Sequence, residues 1–66
     1  MSVAKIIEIS AESTQSFEDA IRQGIETAGR SIRNIRGAWV KEQSVVVDGG
    51  KIVTFRVDLK LTFVLD

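Results

Sequence analysis

Along the last quarter of the chain, Val53, Phe55, Val57, Leu59, Leu61, Phe63 and Leu65 are apolar, while Thr54, Arg56, Asp58, Lys60 and Thr62 between them are polar. A period of two turns one set of side chains to a dry face and the other to water, so residues 51–65 read as a strand. Residues 38–47 read as a second strand. Asp48-Gly49-Gly50 joins the two as a hairpin, because a two-residue turn needs positive φ and glycine adopts it freely. At the N-terminus, residues 3–9 (VAKIIEI) carry the β-branched Val3, Ile6, Ile7 and Ile9 and fit a third strand with imperfect alternation. Residues 10–16 (SAESTQS) read as a polar connection.

From Phe17 the period changes. Phe17, Ala20, Ile21, Ile25, Ala28, Ile32 and Ile35 recur at spacings of three and four, which is one apolar face of a 19-residue helix. Ser16 followed by Asp19 is close to a capping box, and Glu18 and Asp19 suit the positive end of a helix. Gly24 lies on the apolar face. It is either tolerated there, at about 1 kcal/mol against alanine, or marks close backbone packing. Arg30, Arg33 and Arg36 gather at the far end, where cations complement the helix dipole, and Gly37 lies just beyond it.

A two-residue turn at Gly49-Gly50 would set Val46 opposite Val53 and Val40 opposite Leu59, so that the dry faces coincide. On the other face Trp39 would lie across from Lys60, and Gln43 across from Arg56. A three-residue turn would instead place Trp39 on the dry face. The fold class is α+β, in the order β-α-β-β: a three-stranded antiparallel sheet packed on one helix, in a single domain over residues 1–66. The last strand would extend ~50 Å, whereas the helix would reach only ~28 Å. Apolar surface at Leu61, Phe63 and Leu65 therefore calls for another chain.

Composition sharpens this picture. The chain has 66 residues, no cysteine, histidine or proline, and nine basic against nine acidic side chains. Disulfides, thiolate nucleophiles, a conventional zinc site and histidine general bases are excluded. Zero net charge argues against nucleic acid and against a polybasic membrane anchor as partners. No apolar run approaches the ~18 residues of a membrane span, and MSVAKIIEIS lacks a signal peptide's apolar stretch, so a cytoplasmic location is expected. A domain this small is marginal alone, and 44% apolar residues are too many for disorder, so self-association is the remaining staple. No nucleophile–base pair is recognisable, and no enzyme activity is expected.

The order of these elements, with the strings KIIEI, SFEDAI, SIRNI and VKEQ…VDGGKIVTFRVDLKLTF, resembles the dodecin family across essentially the whole chain. The resemblance implies a subunit of a hollow homo-oligomer, a dodecamer. In its best-known members flavins stack near tryptophans at subunit interfaces and are sequestered rather than turned over, and some bacterial members bind coenzyme A. The flavin binders carry a Trp after the helix where this chain has Gly37, and a Gln in the last strand where it has Arg56. Trp39 stands two residues later, on the same strand face by period two and about 6.6 Å away. A branch without the tryptophan has been described as calcium-binding, and IRGAWVKEQ and TFRV are more similar to it.

The resemblance thus implies a small-molecule binding protein holding riboflavin, FMN or a related cofactor. Trp39, next to Gly37, would be the stacking platform, and Arg56 and Gln43 the polar contacts. Arg56 has donors and no acceptor, so it would shift preference toward anionic groups, and Gln43 would supply the acceptor. Arg30, Arg33 or Arg36 could meet a phosphate of FMN or coenzyme A. The bland readings are a Trp39 that covers a subunit contact and a solvated Arg56. The alternative function is a non-flavin shell that binds calcium or is purely structural. Glu8, Glu42, Asp48 and Asp58 are too scattered for an EF-hand, although copies of one carboxylate can converge near a symmetry axis.

Overall fold

Gly49 (φ 58°) and Gly50 (φ 74°) both adopt the left-handed conformation, the pair of angles a type I′ hairpin requires. They join β2 (Ile35–Asp48) to β3 (Lys51–Val64), 14 residues each. The computed structural model describes residues 3–65; Met1, Ser2 and Asp66, and with them the two ends of the 1–66 span, lie outside the described residues. β1 (Ala4–Ser13) pairs with the other side of β3, giving an antiparallel sheet in the order β1-β3-β2. Helix α1 (Phe17–Gly29) follows β1 and completes the β-α-β-β order expected from the sequence.

The strands and the helix differ in extent from the sequence reading. β1 runs on to Ser13 through what reads as a polar connection, because Ser13 is a buried joint between strand and helix. Its hydroxyl donates to the Asp19 carboxylate (2.5 Å) and accepts from the Gln15 N–H (2.9 Å). Ser16 caps the helix, its hydroxyl accepting from the Asp19 N–H at 2.9 Å. The Asp19 carboxylate does not close a capping box. Its Oδ2 accepts from both the Ser13 hydroxyl and the Gln23 amide (2.6 Å).

The helix ends at Gly29 after 13 residues, six short of the expected 19. The Ala28 carbonyl accepts from both the Ser31 and Ile32 N–H groups (3.1 and 2.9 Å), and Asn34 at φ 60° swings the chain into β2. Asparagine tolerates that conformation better than most residues. Ile35 and Arg36 consequently belong to β2, as does Gly37, and the last turn of the helix carries no basic residue. Ile35 still packs on the core, now from the sheet.

That core is Ala20, Val57, Leu59 and Leu61, with Ile7, Ile9, Ala11, Phe17, Ile21, Ile25 and Ala28 around it. Phe17 meets Phe55 edge to face, with centroids 5.1 Å apart, and pins the start of the helix to β3. Gly24 resolves to close packing: a Cβ there would stand 3.0 Å from Ala11 Cβ and 3.4 Å from Leu59 Cδ1. Gly24→Ala should therefore push the helix off β1 and lower stability by about 1–3 kcal/mol. Urea titration of the two proteins measures this; an unchanged midpoint would mean that the contact yields freely.

The helix packs on β1 and β3, and the uncovered apolar surface follows from that. Leu61 is fully buried and Phe63 partly so, against expectation, because the helix and Ile35 reach that end of the sheet. Leu65 remains 51% exposed. Most of the bare apolar surface is instead on β2 and the hairpin tip: Val40, Val45, Val47, Ile52 and Val53. The chain measures 51 × 20 × 13 Å and exposes 4796 Å². A compact monomer of its mass would expose about 4200 Å².

Candidate functional site

The register of the sheet decides which candidate residues meet. Lys51 to Ile52 pair as a two-residue turn dictates, but an extra residue on β3, Val53, then shifts the ladder by one. Val46 consequently faces Thr54 rather than Val53, and Gln43 faces Val57 rather than Arg56. A second bulge, at Lys41 on β2, restores the original register. Val40 then faces Leu59 and Trp39 faces Lys60, as the turn alone implies.

Directly paired residues share a sheet face, so the face away from the helix can be read as rows across β1, β3 and β2. Ile6, Thr62 and Gly37 form one row; Glu8, Lys60 and Trp39 the next; Ser10, Asp58 and Glu42 the third; Glu12, Arg56 and Ser44 the fourth. Trp39 and Gly37 are therefore neighbours, as expected. Arg56 lies two rows from Trp39, and Gln43 lies on the opposite, helix-side face with Val57. The structure thus brings together two of the four candidate residues and separates the other two.

Each row has its own electrostatics. Trp39 is 48% exposed and stacks on no aromatic ring among the described residues; Lys60 Nζ stands 5.9 Å from its ring centroid, at the edge of cation–π range. Beside it, Gly37 is half-buried: the Thr62 hydroxyl lies 3.1 Å from where a Cβ would stand and donates to the Gly37 carbonyl at 3.3 Å. The bulge turns Lys41 onto this face, where its ammonium meets both Glu8 oxygens at 3.3 and 3.4 Å. Arg56 donates from Nε to Glu12 at 2.7 Å, so its guanidinium already has a carboxylate partner.

Between Arg56 and Trp39, Glu42 and Asp58 occupy one register position, and neither forms an ion pair among the described residues. Like charges directly opposite each other disfavour the sheet. They line a shallow depression of about 320 Å³ with Ser10, Glu12, Ser44 and Arg56. Among the described residues no group of three acidic side chains is arranged to hold a metal ion. A larger groove of about 490 Å³, between β1 and α1, is lined by Ile9, Ala11, Gly24 and Ala28 and contains none of the candidate residues. Ser10, Glu12, Gln23, Thr27 and Ser31 also line it, but it offers neither an aromatic platform nor a basic side chain, and the Trp39 face is the better candidate.

The residues that sequence reasoning missed are Lys60 as Trp39's charged neighbour, Lys41, and the Glu42–Asp58 pair. Only the first was within reach, since the turn rule already sets Trp39 across from Lys60. The Glu42–Asp58 pair depends on the extra residue Val53, and the Lys41–Glu8 contact on the bulge at Lys41 and the pairing of β1 with β3.

Comparison with known proteins places this geometry among relatives. A family model described as Dodecin matches residues 3–66. A protein of Mycobacterium tuberculosis named calcium dodecin is 38% identical over 63 residues, which cover 96% of this chain and 89% of that protein. A crystal structure of the M. tuberculosis calcium dodecin, described as a calcium-chelating antigen with a calcium-binding site, superposes with a TM-score of 0.83 at 39% identity. The match covers 98% of this chain and 93% of that one. The dodecin of Streptomyces davaonensis superposes with a TM-score of 0.93 at 28% identity, over 98% of this chain and 96% of that one.

Proposed function

Since this chain belongs to the dodecin family, we propose that it is a non-enzymatic binding protein, the subunit of a homo-oligomeric, dodecameric shell that holds riboflavin or FMN where subunits meet. The observation that carries this reading is the half-exposed Trp39 on an open sheet face, next to Gly37, which has no side chain to obstruct a ring laid on the indole. An indole in that position offers a flat, apolar platform to a planar ring. The apolar residues left uncovered on β2 and the hairpin tip supply the surface through which copies associate. Such a contact can enclose a stacked ring and keep a photoexcited flavin from other reactants. Within one copy Arg56 and Gln43 do not complete the platform. They serve it only if a neighbouring subunit brings them there.

A second reading has its own observation. The M. tuberculosis relative is named calcium dodecin, and in this chain Glu42 and Asp58 sit side by side with no lysine or arginine paired to either among the described residues. Copies meeting at a symmetry axis would add carboxylates to that pair and make a calcium site possible in the shell.

Titrating protein into riboflavin, with particle mass followed by light scattering, separates the two. Flavin storage requires fluorescence quenching that saturates at a fixed stoichiometry on a particle far larger than 7.3 kDa. An intact particle that leaves riboflavin fluorescent, yet releases heat on calcium addition that Glu42→Gln removes, would replace the flavin reading with the calcium one.

A further inference from the structure

Lys60 occupies the middle of the row Glu8–Lys60–Trp39, on the central strand. In a regular sheet its ammonium would pair with Glu8, the oppositely charged residue directly across on β1. The bulge prevents this, because it brings Lys41 onto the same face and Lys41 takes both Glu8 oxygens. No carboxylate of the described residues then lies within 4.0 Å of Lys60, whose ammonium stands by the Trp39 ring instead. At 5.9 Å from the centroid of a half-exposed indole that attraction is weak, and an anionic oxygen would be a stronger partner. Arg56 offers no such opening, since Glu12 already holds it.

We propose that Lys60 makes the Trp39 platform selective for planar rings that carry an anionic group, a phosphate monoester above all, over the same ring without one. This rests on the reading of Trp39 as a stacking platform and adds its ligand class. The ring stacks on the indole, and the Lys60 ammonium donates to the phosphate oxygens. Within one copy Arg56 has no part in the discrimination, because Glu12 holds it two rows away.

Riboflavin and FMN share one ring and differ by a phosphate, so the ratio of their affinities reads the proposal directly. FMN should bind about fivefold more tightly at low salt, and the ratio should shrink as salt screens the pair. Lys60→Gln should bring the ratio to one, and Lys60→Arg should keep it. Lys51→Gln, which removes the same charge at the hairpin tip, should leave it unchanged. Light scattering on each variant reports whether the particle is intact, and Lys60→Arg keeps the question answerable if Lys60→Gln does not assemble. If both flavins bind with equal affinity, or if Lys60→Gln keeps the preference, the selectivity proposal is wrong while the platform stands. If neither flavin binds, the platform reading fails and the proposal falls with it.

Discussion

Leu59→Ala should cost the folded chain about 3–5 kcal/mol, enough to remove most of the stability that a domain of this size can hold. Leu59 is fully buried on the central strand. It is flanked by Ile9 on β1 and Val40 on β2, and its Cδ1 lies against the helix at Gly24. A cavity here cannot collapse easily, because the strands on both sides are hydrogen-bonded to β3 and the helix is already in backbone contact. Urea titration followed by circular dichroism, at matched protein concentrations, measures the effect; the matching is needed because association adds to apparent stability. A loss below 1 kcal/mol would show that the shell, and not this core, holds the subunit together.

Trp39→Ala should have the opposite profile, with little effect on folding and a large one on ligand. The side chain is half exposed and covers none of the core residues, so its removal should leave the unfolding midpoint nearly unchanged. Stacking of a planar ring on an aromatic side chain is worth about 1–3 kcal/mol on truncation to alanine, which corresponds to a loss of riboflavin affinity of about 5- to 150-fold. Trp39→Phe should recover part of it. The result that would refute the stacking role is dissociation of the particle with quenching per remaining oligomer unaltered, since that would make Trp39 a contact residue only.

Strong local patterns carried most of the fold. The alternation in β3 fixes its two faces, Gly49-Gly50 can hardly form anything but a hairpin turn, and Ser16 marks the helix start by capping chemistry. The helix end was ambiguous for a physical reason. Ile32 and Ile35 satisfy a helical face, yet Ile35 is equally apolar in a strand that packs on the same core. β1 extends further than expected because Ala11 and Ser13 are small, so the period of two fades where the strand continues. The site was less legible than the fold. Trp39 and Lys60 face each other as the turn rule implies, whereas Gln43 and Arg56 are separated by the bulge at Val53, which no residue type announces. The Lys41–Glu8 pair needs the pairing of two strands from opposite ends of the chain, which hydrophobic periodicity does not reveal.

The hairpin's two-residue connection also sets the order of events during folding. Pairing of β2 with β3 can spread outward from Gly49-Gly50 residue by residue, on the scale of about 1–10 μs. Docking of β1 is a different kind of step, since Glu12 and Arg56 meet across 44 residues of chain. A lone hairpin is marginal in water, so the early arm persists only when the N-terminal half closes over it. The bare face of β2 is then the last apolar surface to be covered, and assembly, being bimolecular, slows with dilution while the closing of each chain does not.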